Sequence, residues 1–223
     1  MSTDIIVRPI EKYEAQPWIL KKHYAKRMCP ISYAFGAFCG SEMIGIVTYG
    51  LPASPPLCKG VCGEEWASNV IELNRLCCYT IKDLASKIVG RSLKLLPKPT
   101  IIVSYADSSQ GHVGYVYQAT NFIYTGLSSK HLDWQIEGLE EMHGRSTARM
   151  AGGKGKDFLK EKYGERFQEI QRPRKHRYVY FVGSKSQIKK LRLCLRYPIM
   201  HYPKGESRRY DASNTITTQT SFL

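Results

Sequence analysis

The chain has 223 residues, 43% of them apolar, and carries 33 Lys and Arg against 19 Asp and Glu, a net charge of +14. That length and apolar content suit a folded domain with a substantial core and argue against wholesale disorder, and no run of about 18 apolar residues offers a membrane span. The charge excess points to a polyanionic partner. In chain order, Ile5 to Ile10 alternates enough for a first strand. Glu14 to Lys26 is predicted helical, with Pro17 early, where proline is tolerated. SYAFGAF (32–38) and MIGIVTYG (43–50) are two apolar runs joined by a short polar turn and predict a hairpin. LPASPPLCKGVCG (51–63) reads as a Pro- and Gly-rich loop, too long for a plain connector and so a candidate for function. VIELNRLCCY (70–79) is the next strand. Asp83 to Leu96 has helical spacing through Leu84, Ile88, Ser92 and Leu95 and ends before Pro97. TIIVSYAD (100–107) is a continuous apolar run, expected to be a strand buried on both faces. It passes into Asp107-Ser108-Ser109-Gln110-Gly111, then a short helix from about His112 to Asn121 and a strand from Phe122 to Thr125.

From Lys154 to Arg209 the sequence is dense in Lys and Arg, with tyrosines interleaved and a strand over 177–183. Tyrosines beside neutralised phosphates are what base stacking on a nucleic acid requires, although a solvated basic face reads the same way. A nucleic acid is the expected partner, with Lys175, Arg177, Lys189, Lys190, Arg208 and Arg209 as phosphate contacts. Residues 1–150 are expected to form the core and 151–223 a basic part that completes the sheet within one structural domain. Nothing in the pattern selects a monomer over a dimer. The seven cysteines are odd in number, with Cys77 and Cys78 adjacent, which suits reduced thiols better than a disulfide framework. Cys58 and Cys62 would need a second pair to make a zinc site, and none is evident. The opening MSTDIIVRPIEKYE lacks a signal-peptide pattern, so a cytoplasmic location is expected.

The Asp107 loop matches neither a Walker nor a dinucleotide pattern, because its glycines at 111 and 114 lack the required partners. Asp107 closes a buried strand, where a side chain can point into a cleft; it could orient an amine, take its proton or hold a metal, and it could equally cap the short helix that follows. Tyr33, Phe35, Tyr49 and Tyr105 lie on strands that could converge on an aromatic pocket, or serve only as sheet core.

The order of helix, hairpin, strand, helix, strand, short helix, strand resembles the GNAT acyltransferase superfamily. This implies an α+β fold with a central mixed, mostly antiparallel sheet flanked by helices, here with a basic C-terminal extension. The segments SYAFGAF, VTYGLPASPPLCKGVCGEE, IELNRL, SYADSSQGHVGYVYQATNFIYTG, RPRKHRYVYFVG and YPKGESRRYDAS resemble the Mom family of phage DNA-modification proteins over about residues 20–213. The resemblance implies an enzyme that converts adenine in double-stranded DNA to its N6-carbamoylmethyl form, in the host cytoplasm, and so shields phage DNA from restriction. It also implies functional roles for His23, Tyr24, Asp107 and Ser92, with iron at His23, Tyr24 and Asp107, ligands whose nitrogen and oxygen donors suit that metal. Tyr49 joins the catalytic set. His23 alone reads equally well as a helix histidine in a basic surface, and Ser92 as a small residue for close packing. The donor, acetyl-CoA or another activated unit, would lie near Asn74, Arg75 and Ser86. The sequence departs from the superfamily there: between Asn74 and Lys87 no glycine is present to cradle a diphosphate, although helix N–H groups at 83–96 could bind an anion.

Overall fold

The computed structural model describes residues 4–205 apart from 141 and 143. Its elements are β1 (Ile5–Pro9), α1 (Lys12–Pro17), β2 (Tyr33–Cys39), β3 (Glu42–Gly50), α2 (Pro55–Cys62), β4 (Val70–Cys78), α3 (Leu84–Leu93), β5 (Thr100–Ala106), α4 (Tyr115–Ala119), β6 (Ile123–Leu127), β7 (Leu132–Ile136), α5 (Gly144–Met150), α6 (Gly155–Tyr163), β8 (Phe167–Gln171), β9 (His176–Val182) and α7 (Lys185–Cys194). Seven strands form one sheet in the order β1-β2-β3-β4-β5-β9-β6, and β7 and β8 form a separate antiparallel pair. Within the large sheet β4 and β5 run parallel, while β1/β2, β2/β3, β3/β4 and β5/β9 are antiparallel. The α+β class and the mixed, mostly antiparallel sheet expected from the sequence are both present.

Two compact units divide the chain. The first runs to Gly126 and resumes at His176; the second is Leu127–Lys175. In the first, side chains alternate across the sheet. Phe35, Val47, Tyr49, Leu73, Ile102 and Ala106 face the layer that contains α3, with Leu84, Ile88, Val89 and Leu93. The opposite face is covered in two patches: Ala34, Ile46 and Cys77 pack with Ala15, Trp18 and Ile19 of the α1 region, and Val70, Ile101, Val103, Val179 and Phe181 pack with Val61 and Cys62 of α2 and Leu191 of α7. β5 is therefore buried on both faces, as its continuous apolar run requires. The second unit has its own small core of Ala151, Leu159 and Phe167.

Three elements differ from the sequence expectations. The helix expected over 14–26 stops at Pro17 and continues as a π-helical turn, Trp18–Lys22, that ends at His23. Pro17 closes the regular helix, where its missing N–H and its ring disfavour continuation of the ladder, and the turn that follows is of the wider kind. The segment 51–63 is not a loop throughout: it contains α2, with Pro55 and Pro56 in the first turn, where a missing N–H costs nothing. The helix expected from His112 begins only at Tyr115, because Gly111 and Gly114 adopt positive φ angles of 68° and 85°. A Cβ at Gly114 would also lie 2.5 Å from the ring of Tyr178.

Candidate functional site

β4 and β5 pair only from Val70 with Ile101 to Leu73 with Ser104. Beyond that point they separate, although β4 continues to Cys78 and β5 to Ala106. A bulge starts the fork: the β3 register skips from Thr48 opposite Arg75 to Tyr49 opposite Leu73, which leaves Asn74 outside the ladder. Ser104 Oγ donates to Leu73 O at 3.0 Å and closes the crotch. Asn74 and Arg75 follow on one prong, and Tyr105, Ala106 and Asp107 on the other.

The loop from His23 to Ser32 is tied to the first prong. Asn74 Nδ2 donates to Pro30 O at 2.7 Å, and Asn74 Oδ1 accepts from Thr48 Oγ1 at 2.7 Å and from Cys29 Sγ at 3.3 Å. Arg75 donates through Nη1 to Asn74 O and through Nη2 to Arg27 O, at 2.6 and 2.9 Å, and its Nε is buried without a hydrogen-bond partner among the described residues. Gly50 allows the approach, since a Cβ there would lie 1.9 Å from Pro30 O. Thus the Asn74 side chain ties the loop to β3 as well as to β4, and the guanidinium of Arg75 is held by backbone carbonyls.

The tethered loop brings His23 and Tyr24 to the Asp107 prong. The ring of Tyr24 stacks on His23 at 4.3 Å and meets His112 edge-on at 6.1 Å. Burial chiefly, and then the charge of Asp107, raise the Tyr24 phenol above its ordinary value, while Arg75 acts in the opposite sense. His23 is buried, and burial, then Arg75, then His112, pull its pKa down to about 3. Its Nδ1 accepts a hydrogen bond from Ala25 N–H at 3.0 Å. Asp107 both caps and faces the site: its Oδ1 accepts from Ser109 N at 3.1 Å and Ser109 Oγ at 2.6 Å, and the 3-10 turn Ser108–Gln110 follows it. Tyr117, on α4, also reaches this place; burial chiefly raises its phenol, with Tyr24 and Glu72 contributing. Sequence reasoning did not single out His112 or Tyr117. A regular helix starting at His112 would have pointed it elsewhere, and the paired glycines at 111 and 114 were the available signal.

The other expected site residues lie elsewhere. Tyr49 and Ser92 are both buried in the core, joined by a 2.7 Å bond between their hydroxyls, with Ser92 Oγ in turn donating to Val89 O. Phe35 is buried and packs edge-on to Tyr49, while Tyr105 lies on the opposite face of the sheet, toward α2 and α7. The four expected pocket aromatics therefore do not converge; of the three on β2 and β3, Tyr33 alone is exposed. Arg177 is engaged: its Nε and Nη2 donate to Thr125, and its guanidinium stacks 3.4 Å above the Tyr197 ring. Lys189 and Lys190 are exposed on α7, with Lys190 over the Trp66 ring. In the second unit, Lys175 N–H donates to Ser128 Oγ. Arg208 and Arg209 lie outside the described residues.

Neither expected cofactor finds a built cradle. Among the described residues no three His, Cys, Asp or Glu side chains are grouped to hold a metal, and the Nδ1 of His23 already accepts from Ala25. At the start of α3, Asp83 takes φ 59°, Leu84 N–H already donates to Ile81 O, and Ser86 Oγ donates to Asp83 O. Part of this helix start is thus already engaged within the chain, and no step is derived through iron or coenzyme A.

The forked mixed sheet, with Tyr24 between His23 and His112 and the Asp107 carboxylate beside them, is the architecture of an α+β protein. The profile of the Mom protein family matches residues 4–204, and the chain belongs to that family. It is similar to the methylcarbamoylase mom of Escherichia phage Mu, 26% identical over 210 residues that cover 91% of this chain and 85% of the phage protein. Among solved structures it is similar to the ribosomal-protein-S18-alanine N-acetyltransferase of Escherichia coli (7% identity, TM-score 0.44, 81% of this chain and 95% of that one) and an IAA acetyltransferase of Bacillus cereus (10%, 0.42, 80% and 99%).

Proposed function

We propose that this chain is a DNA-modifying transferase that places a carbamoylmethyl group on N6 of adenine, acting in a host cytoplasm on phage DNA and protecting it from restriction. Family membership and the activity named for the phage Mu relative support the reading. The observation that carries it is the convergence, at the fork of β4 and β5, of His23, Tyr24 and His112 with the Asp107 carboxylate. The N6 lone pair is delocalised into the ring, so transfer requires an activated donor and an oriented proton acceptor. As the N6–carbon bond forms, the bond from that carbon to its leaving group breaks, the leaving group keeps the electron pair, and a proton departs from N6. Asp107 is the acceptor. A paired adenine must leave the stack to arrive there, and Tyr24, 36% exposed, offers it an aromatic face at the mouth. Tyr49 and Ser92 support β3 against α3 beneath this cleft. Lys189 and Lys190 on α7 meet DNA phosphates.

The test is mass spectrometry of nucleosides from the DNA of cells that express the chain. An adenosine heavier by a carbamoylmethyl unit is expected. Unmodified nucleosides from cells with folded protein would overturn the reading. Acetylation of a protein or small-molecule amine would replace it with an N-acetyltransferase, and DNA binding without product with a non-catalytic binder.

A further inference from the structure

We propose that Gln118 and Tyr178 are positioning residues for His112: together they fix the turn that holds its ring against Tyr24. The inference rests on the reading of the cleft as the site of adenine modification.

The turn needs ties from outside itself. His112 and Val113 lie between Gly111 and Gly114, at φ 68° and 85°. Glycine suits those angles, and it also has more backbone freedom to lose than any other residue. On the N-terminal side, His112 N–H donates to Asp107 O at 3.2 Å. On the C-terminal side, Val113 O accepts twice, from the Tyr178 hydroxyl and from Gln118 Nε2, the latter at 3.2 Å. The same Nε2 lies 3.2 Å from the Tyr178 hydroxyl oxygen and 3.3 Å from Pro203 O. Chemistry fixes which way the Gln118 amide points. Val113 O and Pro203 O have no proton to give, so both require its NH2 group. The Tyr178 hydroxyl accepts from Gln118 and gives its own proton to Val113 O, so the two side chains and one carbonyl form a closed triangle.

Each tie has a separate anchor. Tyr178 is a fully buried residue of β9, and its ring fills the space beside Gly114, where a Cβ would lie 2.5 Å from it. Pro203 belongs to the segment after α7. That segment is fastened in turn by Met200 N–H to Tyr124 O at 2.9 Å and by the Tyr202 hydroxyl to Phe122 O at 2.8 Å. Gln118 stands on α4, and its own N–H donates to Gly114 O at 3.0 Å. The turn is thus braced by α4, β9 and the segment after α7 together. Loss of the brace would free His112 from its edge-on contact with Tyr24, at 6.1 Å between ring centres, while every group of the cleft stayed in the chain.

Two measurements on the full chain test this. In protein whose only protonated aromatic side chains are those of His and Tyr, the His112 and Tyr24 rings should show a nuclear Overhauser contact. Gln118→Met, which keeps the length of the side chain and removes its donors, should weaken that contact. Tyr178→Phe keeps the ring beside Gly114 and removes the hydroxyl; it should act in the same direction and serves as the reading if Gln118→Met does not fold. In modification assays Gln118→Met should lower kcat per folded molecule by up to about 10²-fold, the cost of misplacing a site group by about 1 Å, with KM for DNA near that of wild type. In a His112→Ala background the same substitution should cost nothing further, because its effect passes through His112. An undiminished His112–Tyr24 contact in a folded variant, or a loss of kcat as large without His112 as with it, would overturn the proposal. The ring contact is read without DNA or donor, so it decides the positioning role whether or not modified adenine is found.

Discussion

Asp107 illustrates how one side chain can hold a turn and face a reaction at once. Its Oδ1 accepts from Ser109 N–H and Oγ, and an asparagine presents a carbonyl oxygen in the same place. Asp107→Asn should therefore keep the turn and DNA binding but cut modification by at least about 10²-fold, the usual worth of a positioned proton acceptor; wild-type levels of modified adenosine would reduce Asp107 to a cap. Tyr49 is the reverse case. Its hydroxyl has a buried partner, Ser92, and Tyr49→Phe should lower stability by about 1 kcal/mol while kcat per folded molecule stays near wild type; a selective drop in kcat would restore Tyr49 to the chemistry. His23 gives a pH signature. Its pKa is about 3 in the fold against 6.5 for the ordinary group, so between those values the unfolded chain binds the extra proton. Stability present above pH 6.5 then diminishes as pH falls toward 3, by up to about 1.4 kcal/mol per unit. Urea midpoints measured from neutral to mildly acid pH should show this fall, and His23→Asn should lack that share of it.

At the scale of elements, the site depends on an interruption of the sheet. The bulge at Asn74 ends the pairing of β4 with β5, and the same residue clamps the His23–Ser32 loop through two side-chain hydrogen bonds, to Cys29 and Pro30, while a third ties it to Thr48 of β3. Asn74→Ala should cost about 1–3 kcal/mol, since it leaves Pro30 O and Thr48 Oγ1 without their partner. It should also speed hydrogen exchange at residues 23–32 and lower modification by loosening His23 and Tyr24. Unchanged exchange in that loop would mean that Arg75 and the close approach at Gly50 suffice. Strand position alone placed Asn74 and Arg75 beside a donor. The direction of their side chains was not legible in the sequence, because their partners, Pro30 and Arg27, lie more than about 40 residues away along the chain.

For the whole molecule the dominant property is charge. Between Glu169 and Glu206 the chain has ten Lys and Arg and no Asp or Glu, so this segment cannot neutralise itself locally. Some of that charge is engaged within its own unit: Arg172 forms a bidentate pair with Asp133, and Arg177 is held by Thr125 and Tyr197. On α7, whose sequence KSQIKKLRLC contains no Asp or Glu, Lys185, Lys189 and Arg192 are exposed. Affinity for DNA should therefore fall steeply with salt, and Lys189→Gln with Lys190→Gln should flatten the log–log slope by about 0.9 for each phosphate no longer neutralised, equally for all sequences. A double variant with the parent slope would move the phosphate-binding face off α7.

The sequence by itself determined the strand order through β6 and the place of Asp107 at the end of its apolar strand. These follow from periodicity and turn residues, which are local along the chain, whereas the resemblance to known families singled out the fold class and His23-Tyr24. Tertiary structure alone decided which residues share the cleft. Tyr49 and Phe35 turned inward because the alternation of β2 and β3 aims them at α3, whose buried face carries Ser92, whereas His112 entered the site because Gly111 and Gly114 delay the start of α4.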